Sequence, residues 1–189
     1  MIYSFLCFML PNIVWQIVNK NRIKNKQYIV LHMIWTYVFM LYCYLACEVA
    51  ADMGTIWDIL KYKRIMGQVY LRPFIVDELT SHVLNIIMFM PLGFLLPLIW
   101  SNFRDVFRVA LLGFCMSFAI EVSQLFCYRT TDINDLFTNA LGTIIGYILW
   151  IIFHKIWAKS GNHCISMSKV EPVIYIFGGM LGIFFLYIK

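Results

Sequence analysis

Residues 121–146 read EVSQLFCYRTTDINDLFTNALGTIIG, and this stretch joins the end of one apolar run to the start of the next. Polar side chains are concentrated where the two runs meet: Glu121, Ser123, Gln124, Arg129, Asp132, Asp135 and Asn139. An ionised carboxylate is costly to place in lipid, so acids inside a span usually face a protein interior, a cavity or a partner. We therefore expect the functional site in this stretch.

The rest of the chain has the composition of an integral membrane protein. Only 13% of its 189 residues are charged and 62% are hydrophobic, whereas about a quarter of the residues in soluble domains are charged. The mean hydropathy is +0.77. This length and composition predict a single membrane domain over residues 1–189, with no room for a separate soluble catalytic domain.

The apolar runs predict an all-α, polytopic transmembrane helical bundle. A bilayer core needs about 20 apolar helical residues per span, and about six candidate spans can be traced. They are Ile2–Val18, Tyr28–Cys47, Val83–Trp100, Val106–Cys127, Leu136–Phe153 and Val173–Ile188. The long segment 51–82 is either an amphipathic helix at the membrane interface or a solvated loop.

Basic residues predict the orientation, because they are enriched in short cytoplasmic loops. They follow the first apolar run rather than precede it, which indicates a retained span with its N-terminus outside rather than a signal peptide. The inner loops then hold Lys20, Arg22, Lys24, Lys26, Arg104, Arg108, Lys155, Lys159 and Lys169. This orientation places the polar stretch on the outer side of the membrane.

Other residue types predict little chemistry. The cysteines and histidines show no paired spacing, so we predict no disulfide framework, no metal site and no cofactor. The formal charge of +5 lies mostly in the loops that flank the spans. This placement favours contact with the anionic headgroups of membrane lipids and not with nucleic acid.

Two polar stripes follow from the spacing. Ser117, Glu121 and Gln124 fall at i, i+4 and i+7, on one helical face. Glu121 is either paired structurally with Arg129 or used in binding or proton handling. The second stripe begins the next span.

Asp132, Asp135 and Asn139 form that second stripe, at i, i+3 and i+7. Asp132 is also well placed as a helix N-cap. Asn85 can join from the third span, where Pro91 and Gly93 predict a kink and a close helix approach.

These positions together resemble the VanZ-like family of bacterial membrane proteins. The pattern N-x3-F-x-P-x-G is followed by S-x3-E-x2-Q-x4-R-x2-D-x2-D-x3-N-x2-G-x3-G. The matching residues are Asn85, Phe89, Pro91, Gly93, Ser117, Glu121, Gln124, Arg129, Asp132, Asp135, Asn139, Gly142 and Gly146. The resemblance covers a core of about residues 28–153. Residues 1–27, an N-terminal span and basic loop, and residues 154–189, a loop and C-terminal span, lie outside it.

The resemblance implies a protein of the bacterial cytoplasmic membrane that acts at the cell envelope. The family takes its name from a protein associated with low-level resistance to the glycopeptide antibiotic teicoplanin. The resemblance does not identify a reaction, and the sequence leaves the oligomeric state and the presence of an enzymatic activity open.

Three functions are compatible with the polar stretch. The first is binding or antagonism at the outer face, with a lipid-linked wall precursor, a lipid headgroup or a lipoglycopeptide as partner. The second is a membrane-embedded enzyme that modifies a lipid or wall precursor, with Glu121 or Asp132 as general base and Arg129 as anion stabiliser. The third is a small-solute transporter.

Overall fold

The protein is a helical bundle. The computed structural model describes residues 2–19, 26–62, 68–70, 79–127, 130–157 and 170–188. Its helices are α1 (Ile2–Asn19), α2 (Lys26–Tyr44), α3 (Ile56–Tyr62), α4 (Leu79–Ile99), α5 (Val106–Gln124), α6 (Ile133–Trp157) and α7 (Glu171–Leu186). The end of α2 continues as a π-helical turn, Leu45–Ala50. Two three-residue strands, β1 (Gln68–Tyr70) and β2 (Thr130–Asp132), pair in parallel.

The predicted all-α fold class is confirmed, and each predicted span coincides for most of its length with a helix. Among the described residues, four helical stretches are long and apolar enough to cross a membrane: His32–Ala50, Leu79–Ile99, Val106–Gln124 and Ile133–Ile156. The apolar helices at the two ends of the chain, α1 and α7, are shorter. The number of six spans therefore stays a prediction.

Helices α4 and α6 cross with their backbones in contact. A Cβ atom on Gly146 would collide with the carbonyl oxygen of Met90, and one on Gly93 would collide with that of Thr143. Gly142 meets another α4 carbonyl in the same way. The absent side chains let the two helices run side by side, in the manner of small-residue packing in membranes.

Helices α1 and α7 form an antiparallel pair. The Tyr3 hydroxyl, near the start of α1, donates to the Leu186 carbonyl at the end of α7 over 2.6 Å. Toward the other end of the pair, one turn into α7, Asn12 Nδ2 donates to the Tyr175 carbonyl over 3.1 Å. Gly182 lets the two backbones approach closely in between. The pair thus packs along most of its length.

The segment after α2 includes a short, capped helix. Thr55 and Asp58 form a capping box at the start of α3: the Asp58 carboxylate accepts from the Thr55 N–H over 2.8 Å, and the Thr55 hydroxyl accepts from the Asp58 N–H over 3.4 Å. Within its described residues, segment 51–82 therefore contains a short helix, and the location of this helix at the membrane interface stays a prediction. Gly54 lies against the backbone at the C-terminal end of α5.

Candidate functional site

The two polar stripes meet where α5 ends and α6 begins. Asn139 Nδ2, on α6, donates to Ser117 Oγ, on α5, over 2.9 Å. Ser117 is fully buried and Asn139 is 3% exposed. The stripes thus face each other across the helix interface, as their spacing predicts.

Glu121 is bonded to the start of α6. Its side chain is 3% exposed, and Oε2 accepts the backbone N–H of Asp132 over 3.1 Å. Asp132 is itself the N-cap of α6, because Oδ1 accepts the N–H of Asn134 over 2.9 Å. Both carboxylates lie at the positive end of the helix dipole, which favours their negative charge.

Helix α4 contributes Asn85. Its Nδ2 donates to Oδ1 of Asp135, in the first turn of α6, over 2.6 Å. The predicted contribution of the third span is therefore present, and it reaches the second acid of the α6 stripe. We call the six residues that α4, α5 and α6 bring together the carboxylate–amide cluster: Asn85, Ser117, Glu121, Asp132, Asp135 and Asn139.

Gln124 has a different partner from the rest of its stripe. Its Nε2 donates to the carbonyl of Ala51, in the loop after α2, over 2.7 Å. Gln124 lies in the last turn of α5, where the neighbouring loop backbone offers a buried acceptor. Its amide therefore ties that loop to the end of α5.

The remaining predicted residues are Arg129 and the motif residues of α4. Arg129 lies outside the described residues, and so does its predicted pairing with Glu121. Phe89 is fully buried, whereas Pro91 is exposed and lies within the continuous helix α4. In the turn before Pro91, the Met88 carbonyl accepts from the hydroxyl of Tyr42 over 2.9 Å, and this bond joins α2 to α4.

The described cluster is rich in hydrogen-bond acceptors. It holds three carboxylates, and its amide donors bond other cluster members: Asn85 Nδ2 to Asp135, and Asn139 Nδ2 to Ser117. Such a site can bind hydroxyl or amine groups, and its acids can also exchange protons.

A second buried polar group was missed by the sequence reasoning. The carboxylate of Glu171, the first residue of α7, is 2% exposed. Its Oε1 contacts Nε2 of His32 at 3.2 Å and accepts from the Tyr175 hydroxyl over 2.8 Å. Its Oε2 accepts from Trp100 Nε1 over 2.8 Å, and Gln16 Nε2 donates to the Tyr175 hydroxyl over 3.1 Å.

We call these residues, Gln16, His32, Trp100, Glu171 and Tyr175, the Glu171 network. It joins α1, α2 and α7 to the end of α4. Asn85 lies in the second turn of α4, Trp100 directly follows the last residue of that helix, and fifteen helical residues span about 22 Å. The two polar groups therefore lie at opposite ends of the bundle. A signal was present in the sequence: His32 is a polar residue near the start of one apolar run, and Glu171 directly precedes another.

Comparisons with known proteins agree with the sequence pattern. A family model described as VanZ/LLP1 matches residues 1–154. Over 100 residues, the chain is 32% identical to Protein VanZ of Enterococcus faecium, which corresponds to 51% of this chain and 55% of that protein. The chain thus matches about half the length of this relative. No solved structure matches the chain.

Proposed function

This chain belongs to the VanZ/LLP1 family of membrane proteins, and from that premise we propose that its carboxylate–amide cluster binds a polar group at the bacterial cell envelope. One observation carries the proposal: helices α4, α5 and α6 converge their polar side chains on one end of the bundle, around the buried carboxylate of Glu121. The partner is a lipid-linked wall precursor, a lipid headgroup or a lipoglycopeptide.

Packing alone does not require this arrangement. Helices α4 and α6 already have a close glycine-lined contact, and burying carboxylates lowers stability unless each is well paired. Strongly polar groups in a membrane protein usually mark a binding or translocation site. Their concentration at one end of the bundle supports binding at the membrane surface.

The cluster is proposed to face the outside of the cell. Within the described residues, Arg104 lies in the connection from α4 to α5, Arg108 lies in the first turn of α5, and Lys155 lies in the last turn of α6. All three lie at the Trp100 end of the bundle, opposite the cluster. Because basic residues favour the cytoplasmic side, this distribution supports an outward-facing cluster in the cytoplasmic membrane.

An outward-facing cluster fits a role in glycopeptide resistance. Teicoplanin-type lipoglycopeptides act at the outer membrane face, where a lipid anchor and polar groups lie side by side. A protein that binds the lipid-linked precursor or the drug in this layer would keep the two apart. We propose this antagonism, and not a reaction, as the function.

The proposal is tested by susceptibility in a Gram-positive host. Wild type, Glu121→Gln and Asp132→Asn are expressed to equal membrane levels and challenged with teicoplanin and vancomycin. The matched control is Thr138→Val, because Thr138 is buried on α6 and its hydroxyl donates to carbonyls of its own helix, those of Asn134 and Asp135, and to no other group that the structure describes.

We expect wild type and Thr138→Val to protect against teicoplanin, and the two cluster variants to lose protection. Equal susceptibility of wild type and the empty host would contradict the resistance role. An enzyme would be recognised by a separate binding and modification assay, in which Glu121→Gln still binds its ligand but no longer modifies it.

A further inference from the structure

The carboxylate–amide cluster contains a buried hydrogen-bond acceptor, the side-chain oxygen of Asn139. Asn139 is 3% exposed, and its buried Oδ1 has no hydrogen-bond partner among the residues that the structure describes. A buried acceptor without a partner costs about 1–3 kcal/mol, so native proteins rarely leave one empty. The amide nitrogen of the same side chain is already bonded to Ser117. What is missing at this position is therefore a hydrogen-bond donor.

Two acidic side chains lie one helical turn from the Asn139–Ser117 contact. Asp135 lies one helical turn before Asn139 on α6, and Glu121 lies one turn beyond Ser117 on α5. Both acids are nearer to the end of the bundle than the Asn139–Ser117 contact. A group bonded to Asn139 Oδ1 therefore lies about one helical turn from both acids, whose ionised forms favour a positively charged partner.

A divalent metal ion is a poor fit for this position. Ca²⁺ takes six to eight oxygen ligands, and Mg²⁺ requires near-octahedral coordination. In the part of the chain that the structure describes, no three His, Cys, Asp or Glu side chains gather closely enough to hold a metal ion. An organic cation that carries its own N–H donors fits the unsatisfied amide oxygen better.

We propose that the cluster binds a protonated primary amine. Asn139 Oδ1 accepts one of its N–H groups, and Glu121 and Asp135 supply the opposite charge. This inference rests on the proposed function, because it names the ligand chemistry of the same site. The amine belongs either to the headgroup of a membrane lipid or to a soluble molecule at the membrane surface.

Methylation of the amine gives a sharp test. Phosphatidylethanolamine and phosphatidylcholine carry the same charges, but only the first has N–H donors. The purified protein is placed in phosphatidylglycerol nanodiscs with increasing amounts of either lipid, and binding is measured by native mass spectrometry. Phosphoethanolamine and phosphocholine are titrated separately, so that a soluble ligand is distinguished from a lipid.

We expect preference for the primary amine in one of the two arms. Loss of a hydrogen bond to a charged group weakens binding by at least about tenfold, so Asn139→Leu should bind the primary amine at least about tenfold more weakly. Asn139→Asp keeps an acceptor and should retain binding. Thr138→Val, on the neighbouring position of α6, should bind as wild type does.

Equal binding of the methylated and unmethylated headgroups in wild type would overturn the amine inference, and so would unchanged binding in Asn139→Leu. Neither result touches the proposed function, which depends on Glu121. If Glu121→Gln also retains protection against teicoplanin, the proposed function fails as well. A thermal unfolding curve for each variant separates lost binding from lost folding.

Discussion

Removal of the Glu171 carboxylate should destabilise the bundle more than removal of any one of its partners. In Glu171→Ala, the side-chain donors of His32, Trp100 and Tyr175 lose a buried acceptor at once; in the native protein they lie 3.2, 2.8 and 2.8 Å from its oxygens. Hydrogen bonds to a charged group contribute about 1.5–3 kcal/mol each. Three of them set an upper bound near 9 kcal/mol.

The net effect is smaller, because the carboxylate is desolvated in the native protein. Breaking a buried ionic or hydrogen-bonded group by removing one partner costs about 3–5 kcal/mol, and we expect that loss in the free energy of unfolding. Tyr175→Phe removes only a hydroxyl, which bonds Glu171 and Gln16. It should cost about 1–2 kcal/mol.

Unfolding can be followed in detergent with a thiol-reactive fluorophore, because Cys43 and Cys47 are fully buried and react only when the bundle opens. Denaturant or temperature is the perturbation, and the two variants are compared with wild type. Stability of Glu171→Ala within about 0.5 kcal/mol of wild type, the range of neutral surface substitutions, would refute the reasoning. So would a larger loss in Tyr175→Phe than in Glu171→Ala.

Three further predictions use the same unfolding measurement. Gly146→Ala should cost about 1–3 kcal/mol, because the new methyl group meets the Met90 carbonyl; unchanged stability would mean that α4 and α6 are farther apart than described. Asp132→Ala should cost about 1 kcal/mol by removing the N-cap of α6, and Asp132→Asn should cost little; equal losses would assign the effect to charge instead. Thr55→Ala should lower stability by about 1 kcal/mol through the capping box of α3, and a neutral result would show that α3 does not contribute to global stability.

The sequence predicted the helices well, because each apolar run is long and is bounded by polar residues. The boundaries were less accurate. Helix α6 spans Ile133–Trp157, whereas the apolar run predicted Leu136–Phe153. The difference arises because Asp132 caps the helix ahead of the apolar run, and because polar His154 and Lys155 continue the last turn.

The facing of the two polar stripes was also predictable, because helical periodicity fixes which side chains share a face. Periodicity does not fix their partners. Gln124 shares a face with Ser117 and Glu121, yet it bonds the Ala51 carbonyl. That partner depends on the path of the loop after α2, which local spacing does not encode.

The Glu171 network could not be assembled from the sequence. His32 and Glu171 are separated by 139 positions, and each looks like an isolated polar residue at the edge of a span. Only the packing of α7 against α1 and α2 brings them together. The orphaned oxygen of Asn139 is likewise a property of the fold, because it depends on which neighbours the amide fails to reach.

The central claim is that the carboxylate–amide cluster binds a component of the cell envelope. Wild type, Glu121→Gln and Thr138→Val are purified in mild detergent from equal amounts of Gram-positive membrane, and the co-purified lipids and wall precursors are quantified by mass spectrometry. We expect a lipid or wall precursor with a polar headgroup to be enriched with wild type and Thr138→Val and depleted with Glu121→Gln. Identical profiles from all three proteins would contradict it.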